Sequence, residues 1–329
     1  MVPDRRAYSL ARLAELSTRM RAVDALLEGH RLCVYATGSY GRLEAWDESD
    51  IDLFFLYDDA EETERLPWIT FTRLSARLVD ETEEMGFPPF SGDGRYLEVL
   101  YVGEMEKILG SRDDDSQNSF TARMLLLLES QPIYRQDVHS DLLERIVGFY
   151  YRDFEDHADG FLPTFLTNDI LRFWRTLTLN YEHHRIKILT DKALTKQELV
   201  LRKADSALKN YKLKVSRLST CFSMVAHLCT CAAPVTADTV LELCRMTPSD
   251  RFGALRDAHL GAVGLLDEIA SFYEGFLENV QHPEQELLER FADERARKQA
   301  LADAKRYGEL IYALLRDNAD DERMRSLVV

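Results

Sequence analysis

Apolar residues recur at three- and four-residue steps between residues 8 and 28, at Leu10, Leu13, Leu16, Met20, Val23 and Leu27. This spacing predicts an amphipathic helix. The period then changes. Leu32-Cys33-Val34-Tyr35-Ala36 is a short apolar run stopped by Gly38 and reads as a buried strand; Ile51-Asp52-Leu53-Phe54-Phe55-Leu56-Tyr57 reads as a second. Residues 67–86 return to helical spacing, with Ile69, Leu74, Leu78 and Met85 inward and Gly86 at the end. After the Pro88-Pro89 and Gly92/Gly94 loop, Tyr96–Val102 is a third strand candidate. Beyond it the periodicity is helical almost throughout, over about 103–110, 117–130, 138–156, 163–185, 196–230, 236–245, 250–279 and 283–316, with a frayed tail from Asp317.

The pattern therefore predicts an α+β fold. A helix and a small mixed sheet occupy residues 1–115, and a mainly α-helical domain occupies 116–329. The shift falls at Arg112-Asp113-Asp114-Asp115-Ser116. A chain of 329 residues, 46% hydrophobic and 30% charged, has ample material for two cores. It has no apolar run long enough to predict a membrane span. The charged stretch Met1–Arg21 has no apolar core of the kind a signal peptide needs. Five cysteines, an odd number, read as reduced thiols of a cytoplasmic protein. With 41 Lys+Arg against 57 Asp+Glu, the net charge of −16 argues against a surface that grips nucleic acid as a whole.

The most informative stretch is Thr37-Gly38-Ser39-Tyr40-Gly41-Arg42-Leu43-Glu44, followed by Ser49-Asp50-Ile51-Asp52-Leu53. A strand ends at Gly38-Ser39, where glycine permits close backbone approach and successive N–H groups can meet phosphate oxygens. Asp50 and Asp52 stand at i and i+2, on one face of the next strand. Two like charges on an otherwise apolar strand repel unless a cation lies between them. Mg²⁺ takes one or two protein carboxylates together with substrate phosphates. The pattern fits metal-assisted phosphoryl or nucleotidyl transfer; the plainer alternative is a turn followed by a solvated strand edge.

The whole string resembles the signature of the DNA polymerase β nucleotidyltransferase superfamily. Gly-Ser-Tyr-Gly-Arg-x-Glu with Ser-Asp-Ile-Asp-Leu is closest to the uridylyltransferases that modify the PII signalling protein, and to nucleotidyltransferase domains often found beside CBS domains. It is also compatible with cyclic-nucleotide synthases. The resemblance implies that Gly38 and Ser39 contact the β- and γ-phosphates of a nucleoside triphosphate, and that Asp50 and Asp52 hold two Mg²⁺ ions. Arg42 and Glu44 match family positions. Arg42 either touches phosphate or pairs with Glu44 or Glu48. The superfamily's third carboxylate is assigned to Glu98, in Leu97-Glu98-Val99, with Asp93 and Glu104 as fallbacks; otherwise Glu98 is an outward-facing strand residue. The hydrolase and regulatory domains of the full uridylyltransferases are absent from this sequence.

In the helical region, Asn168, Arg172 and Arg175 share a helix face, and Lys209 and Lys212 belong to a basic stretch running from Arg202 to Arg217. Beside the nucleotidyltransferase motif, Arg172, Arg175, Lys209 and Lys212 are expected to close over the triphosphate; otherwise they are solvated faces. The Leu-rich helix at 119–135 is given no chemistry. Cys229-x-Cys231 lacks zinc spacing, and His183-His184 reads as surface or capping. No P-loop is present.

The expected activity is Mg²⁺-dependent transfer of an NMP from an NTP to a hydroxyl, with release of pyrophosphate. A protein or small-molecule acceptor is favoured over long nucleic acid, and no membrane partner is expected. The alternatives are a nucleotide-sensing regulatory protein on the same fold and, third, an interaction scaffold.

Overall fold

The structure is a computed structural model, and it describes residues 4–59, 65–90, 94, 97–191, 194–258, 262–319 and 325. The chain divides into two compact units. The first comprises Met1–Ala158 with Thr236–Thr247, and the second Asp159–Val235 with Pro248–Val329.

The first unit opens with helix α1 (Arg5–Met20), whose N-cap Asp4 accepts from the Ala7 N–H and whose buried stripe includes Leu13, Leu16 and Met20. A 3₁₀ turn at Arg21–Val23 ends the helix earlier than its apolar spacing predicts. Strand β1 (Leu32–Thr37) is buried along its whole length. A single helical turn α2 (Gly38–Gly41) follows, then strand β2 (Asp52–Tyr57) and helix α3 (Trp68–Glu84). Ile69, expected inward, is exposed. It stands in the first turn of α3, where Phe71 takes the buried position instead. Gly86 ends this segment at φ +76.

Strand β3 (Val99–Tyr101), helices α4 (Val102–Ile108), α5 (Arg112–Ser116) and α6 (Ser119–Glu129), strand β4 (Gln131–Tyr134) and helix α7 (Gln136–Gly148) complete the continuous part. The sheet order is β3-β2-β1-β4, with β1 antiparallel to β2 and β4, and β3 parallel to β2. Strand β4 is absent from the sequence expectation, which continued in helix. It is a short edge strand, where Pro132 can sit without breaking an interior ladder. Because β4 pairs with β1, the mixed unit extends past the boundary expected near residue 115.

The two faces of the sheet are covered differently. Leu53, Phe55 and Tyr57 join residues of α1 and α3 in one core, with Phe55 edge-on to Phe71 at 5.3 Å. On the other face Tyr35 stacks on Phe54 at 5.6 Å and meets His139 of α7 at 5.7 Å.

The second unit is all helix. It contains α8 (Thr164–Thr190), α9 (Lys196–Lys212), a π-helical turn at Leu213–Arg217 and α10 (Leu218–Thr230). Helix α11 (Ala237–Arg245) returns to the first unit, against α6 and α7. The second unit resumes with α12 (Pro248–Ala258), α13 (Val263–Val280), α14 (Glu284–Ala292) and α15 (Glu294–Asn318). The periodic stretch 283–316 is broken at Asp293, whose side chain accepts from the Ala296 N–H and caps α15. A cluster of Tyr211, Phe276, Phe291, Tyr273 and Tyr307 forms the centre of this unit's core. All five cysteines are thiols, and four of them are buried. No helix among the described residues is long and apolar enough to cross a membrane.

Candidate active site

Strand β1 ends at Thr37, which pairs with Asp52 at the start of β2. The chain then turns through Gly38 at φ +68, a conformation glycine adopts without the clash a Cβ brings. The missing side chain also makes room for Asp52. A Cβ on Gly38 would lie 2.7 Å from the Asp52 carboxylate oxygen Oδ2. The turn backbone and the carboxylate are thus in direct apposition. At the other end of the turn, a Cβ on Gly41 would collide with the Glu129 carbonyl oxygen.

The turn is anchored from α6. Glu129 has a fully buried side chain. Its Oε1 accepts from the Gly38 N–H at 3.1 Å, and its Oε2 accepts from Arg42 Nη1 at 2.8 Å. Arg42 also donates from Nε to Glu44 Oε2 at 2.8 Å. Arg42 is therefore held by two buried carboxylates, and the Gly38 N–H is already engaged. Glu129 was missed by the sequence reading, which gave this helix no chemistry. Its one visible signal is a lone acid ending the run Leu125-Leu126-Leu127-Leu128.

The loop after the turn is pinned as well. The Ala45 N–H donates to Ser9 Oγ at 3.0 Å, and the Trp46 N–H to Ser49 Oγ at 3.0 Å. From this loop the chain enters β2 with strict alternation. Ile51, Leu53 and Phe55 are buried in the core shared with α1 and α3, Asp50 is exposed and Asp52 half-buried. Asp50 and Asp52 consequently lie on the side away from that core, with Ser39 half-buried at the adjoining turn.

Glu98 is exposed and stands one residue before β3, whose Val99 pairs with Phe55. Glu104 is ion-paired with Arg65. Asp93 lies outside the described residues. No group of three or more His, Cys, Asp or Glu positioned to hold a metal ion occurs among the described residues. The residues that would hold a divalent cation here are Asp50 and Asp52. That pair fits Mg²⁺, which is satisfied by one or two carboxylates when phosphates and water complete its shell. It does not make a closed, all-protein cage.

The expected cations of the helical region all lie in the second unit. Arg172 is paired with the buried Asp169 at 3.4 Å, and Arg175 is exposed on the same helix. Lys209 is paired with Asp205 at 2.9 Å. Lys209 and Lys212 line one cavity, together with His184, which reads from sequence as surface or capping; neither Arg172 nor Arg175 is in its lining.

Residues 4–96 match the family model described as "Putative nucleotidyltransferase DUF294". The matched segment runs from α1 through α3 and includes Gly38, Ser39, Arg42, Asp50 and Asp52, and it stops short of Glu98. It supports assignment of this segment to the nucleotidyltransferase superfamily and, at that general level, a role in nucleotidyl transfer. No curated protein matches the chain.

Proposed function

We propose that the first unit binds a nucleoside triphosphate at the Gly38–Ser39 turn and transfers its NMP to a hydroxyl acceptor. The observation that carries this reading is the apposition of the Gly38 backbone and the Asp52 carboxylate, where a Cβ would come within 2.7 Å of Oδ2. A phosphate drawn to the turn would meet the Ser39 hydroxyl and the following N–H groups, since the Gly38 N–H is held by Glu129. Asp50 and Asp52 would hold Mg²⁺, which when bound supplies charge neutralisation at the phosphates. Arg42 acts as an anchor of the turn rather than as a phosphate ligand.

In the reaction, the acceptor oxygen bonds to the α-phosphorus and the α–β phosphoanhydride bond breaks. Pyrophosphate departs with the bonding electrons, and the hydroxyl proton passes to a base or to water. The residues described here contribute by position: the anchored turn fixes the triphosphate, and the buried Ile51 and Leu53 fix the direction of the two carboxylates. A protein or small-molecule acceptor suits a chain of net charge −16 better than long nucleic acid.

A second reading is a nucleotide-sensing protein with slow turnover. It is favoured by one observation: Glu98 does not join Asp50 and Asp52 in a three-ligand group among the described residues. The test is incubation with Mg²⁺ and each α-labelled NTP, with and without cell lysate, beside Asp50→Asn/Asp52→Asn. Label passing to a product, and lost in the variant, supports the transferase. Retained NTP binding without label transfer or pyrophosphate release supports the sensor.

A further inference from the structure

Helix α8 is apolar on two sides. Leu166, Ile170, Phe173 and Ile188 are buried on one of them. At about 100° per residue, Leu171, Arg175, Leu179, Glu182, Ile186 and Leu189 fall within an arc of about 80° on the opposite side. They follow one another at steps of four and three residues, the spacing of a seam on which a second helix seats. The solvent side of a surface helix is ordinarily polar. Here Leu179, Ile186 and Leu189 are 68%, 48% and 50% exposed, and Leu171 is half-buried. Single exposed apolar residues need no explanation, but a row of them along one helix marks an interaction surface.

The two charged residues of the stripe decide what covers it. Arg175 is exposed and has no ion-pair partner among the described residues. Glu182 is 45% exposed and bonded by Arg185 at 2.6 Å, and its carboxylate keeps acceptor sites for a second cation. Arg175 and Glu182 stand one heptad apart with opposite signs. An antiparallel copy of the same helix sets Arg175 of each chain beside Glu182 of the other, so the stripe is complementary to itself. That register puts the two-fold axis between positions 178 and 179. Leu179 then packs next to its own copy, and Leu171 meets Ile186 on either side. Leu189 meets the exposed Asn168 at the rim, where polar residues belong. A parallel copy would place Arg175 on Arg175 and Glu182 on Glu182, and the like charges exclude it.

We propose that the outer side of α8 is an interface between two copies of this chain, which pair through it antiparallel about a two-fold axis. Leu171, Leu179 and Ile186 form its apolar centre, and two Arg175–Glu182 pairs across the axis fix its register. The proposal goes beyond the transferase reading and stands apart from it, since every residue of the stripe belongs to the second unit and none to the matched segment 4–96. It gives Arg175 a carboxylate partner instead of the triphosphate expected from sequence.

The test is sedimentation equilibrium of the full chain. The variants are Leu179→Glu/Ile186→Glu, Arg175→Glu, Glu182→Lys and Arg175→Glu/Glu182→Lys, each checked for folding by circular dichroism. The expected result is a dimeric wild type and a monomeric Leu179→Glu/Ile186→Glu. Each single charge reversal sets like charges together twice across the axis and should weaken the dimer at least about tenfold. The double reversal restores both pairs and should return to within about threefold of wild type. If Leu179→Glu/Ile186→Glu does not fold, Leu179→Cys replaces it. Beside the axis this thiol should give a covalent dimer on oxidation with copper phenanthroline, whereas the wild type, with four of its five thiols buried, should not. The proposal is overturned if the wild type is a monomer at every concentration, or if its dimer survives Leu179→Glu/Ile186→Glu. It is equally overturned if the single reversals leave the dimer unchanged, if the double reversal is no tighter than the singles, or if Leu179→Cys does not cross-link beyond wild type.

Discussion

Glu129→Gln asks whether the Gly38 turn is held from helix α6. The Glu129 side chain is fully buried, and those of Arg42 and Glu44 are nearly so, at 9% and 7% exposure. Removing one partner of a buried ion pair costs about 3–5 kcal/mol when the other charge is stranded. Here Glu44 still holds Arg42 at 2.8 Å, so the lower end of that range or a little less applies, about 2–3 kcal/mol. Glutamine retains an acceptor for the Gly38 N–H. Glu129→Ala also orphans that N–H, which adds roughly 1–3 kcal/mol. The order of stability in urea is therefore wild type, Glu129→Gln, Glu129→Ala, with an unchanged m-value. A double-mutant cycle with Arg42→Met should return a coupling of about 1–3 kcal/mol. NTP affinity should fall in the same order, because the turn that meets the phosphates loses its anchor. A Glu129→Gln protein within about 0.5 kcal/mol of wild type would refute the reasoning, since that is the range of substitutions touching nothing special.

Three further outcomes follow from other contacts. Gly38→Ala should cost about 1–2 kcal/mol for the left-handed backbone and should abolish NTP binding by displacing Asp52, as read by urea melts and calorimetry. Arg123→Met strands the buried Asp114, which now takes two bonds of 2.8 Å from that guanidinium; a loss of about 3–5 kcal/mol is expected, partly regained in Asp114→Leu/Arg123→Met. Burial, with a smaller effect of Arg245, lowers His139 from 6.5 to about 4. The unfolded chain then binds a proton the folded chain refuses between those values. Stability contributed by the neutral ring is full above pH 6.5 and falls by up to roughly 3 kcal/mol as pH drops towards 4. His139→Gln should flatten the pH dependence of the unfolding free energy in that window, and an unchanged slope would remove His139 as its source.

What could be read from the sequence was local. The apolar runs of β1 and β2 and the Gly38–Asp52 string announce themselves within about twenty residues, whereas the antiparallel pairing of the two strands comes from the structure. The strand β4 was not legible, because Gln131-Pro132-Ile133-Tyr134 has no alternation and gains its identity only by lying against β1. Nor was the return of α11 to the first unit, which depends on contacts with α6 and α7. Glu129 was hidden for a related reason: a single acid in a Leu-rich helix becomes meaningful only when the fold brings Gly38 and Arg42 to it. The π-turn at Leu213–Arg217 leaves no compositional mark, so the sequence shows the basic stretch but not the break in its helix. The break at Asp293 did carry a signal, an N-capping aspartate inside a long periodic run.

The central claim is that the Gly38–Ser39 turn and the Asp50/Asp52 pair form one site for a nucleoside triphosphate. Calorimetric titration of each NTP into wild type and Asp52→Asn, with Mg²⁺ and with EDTA, tests it most directly. The account predicts binding of at least one NTP that requires Mg²⁺ and is lost in Asp52→Asn, while the variant keeps its fold. Equal affinity in both proteins, or affinity indifferent to Mg²⁺, would contradict it.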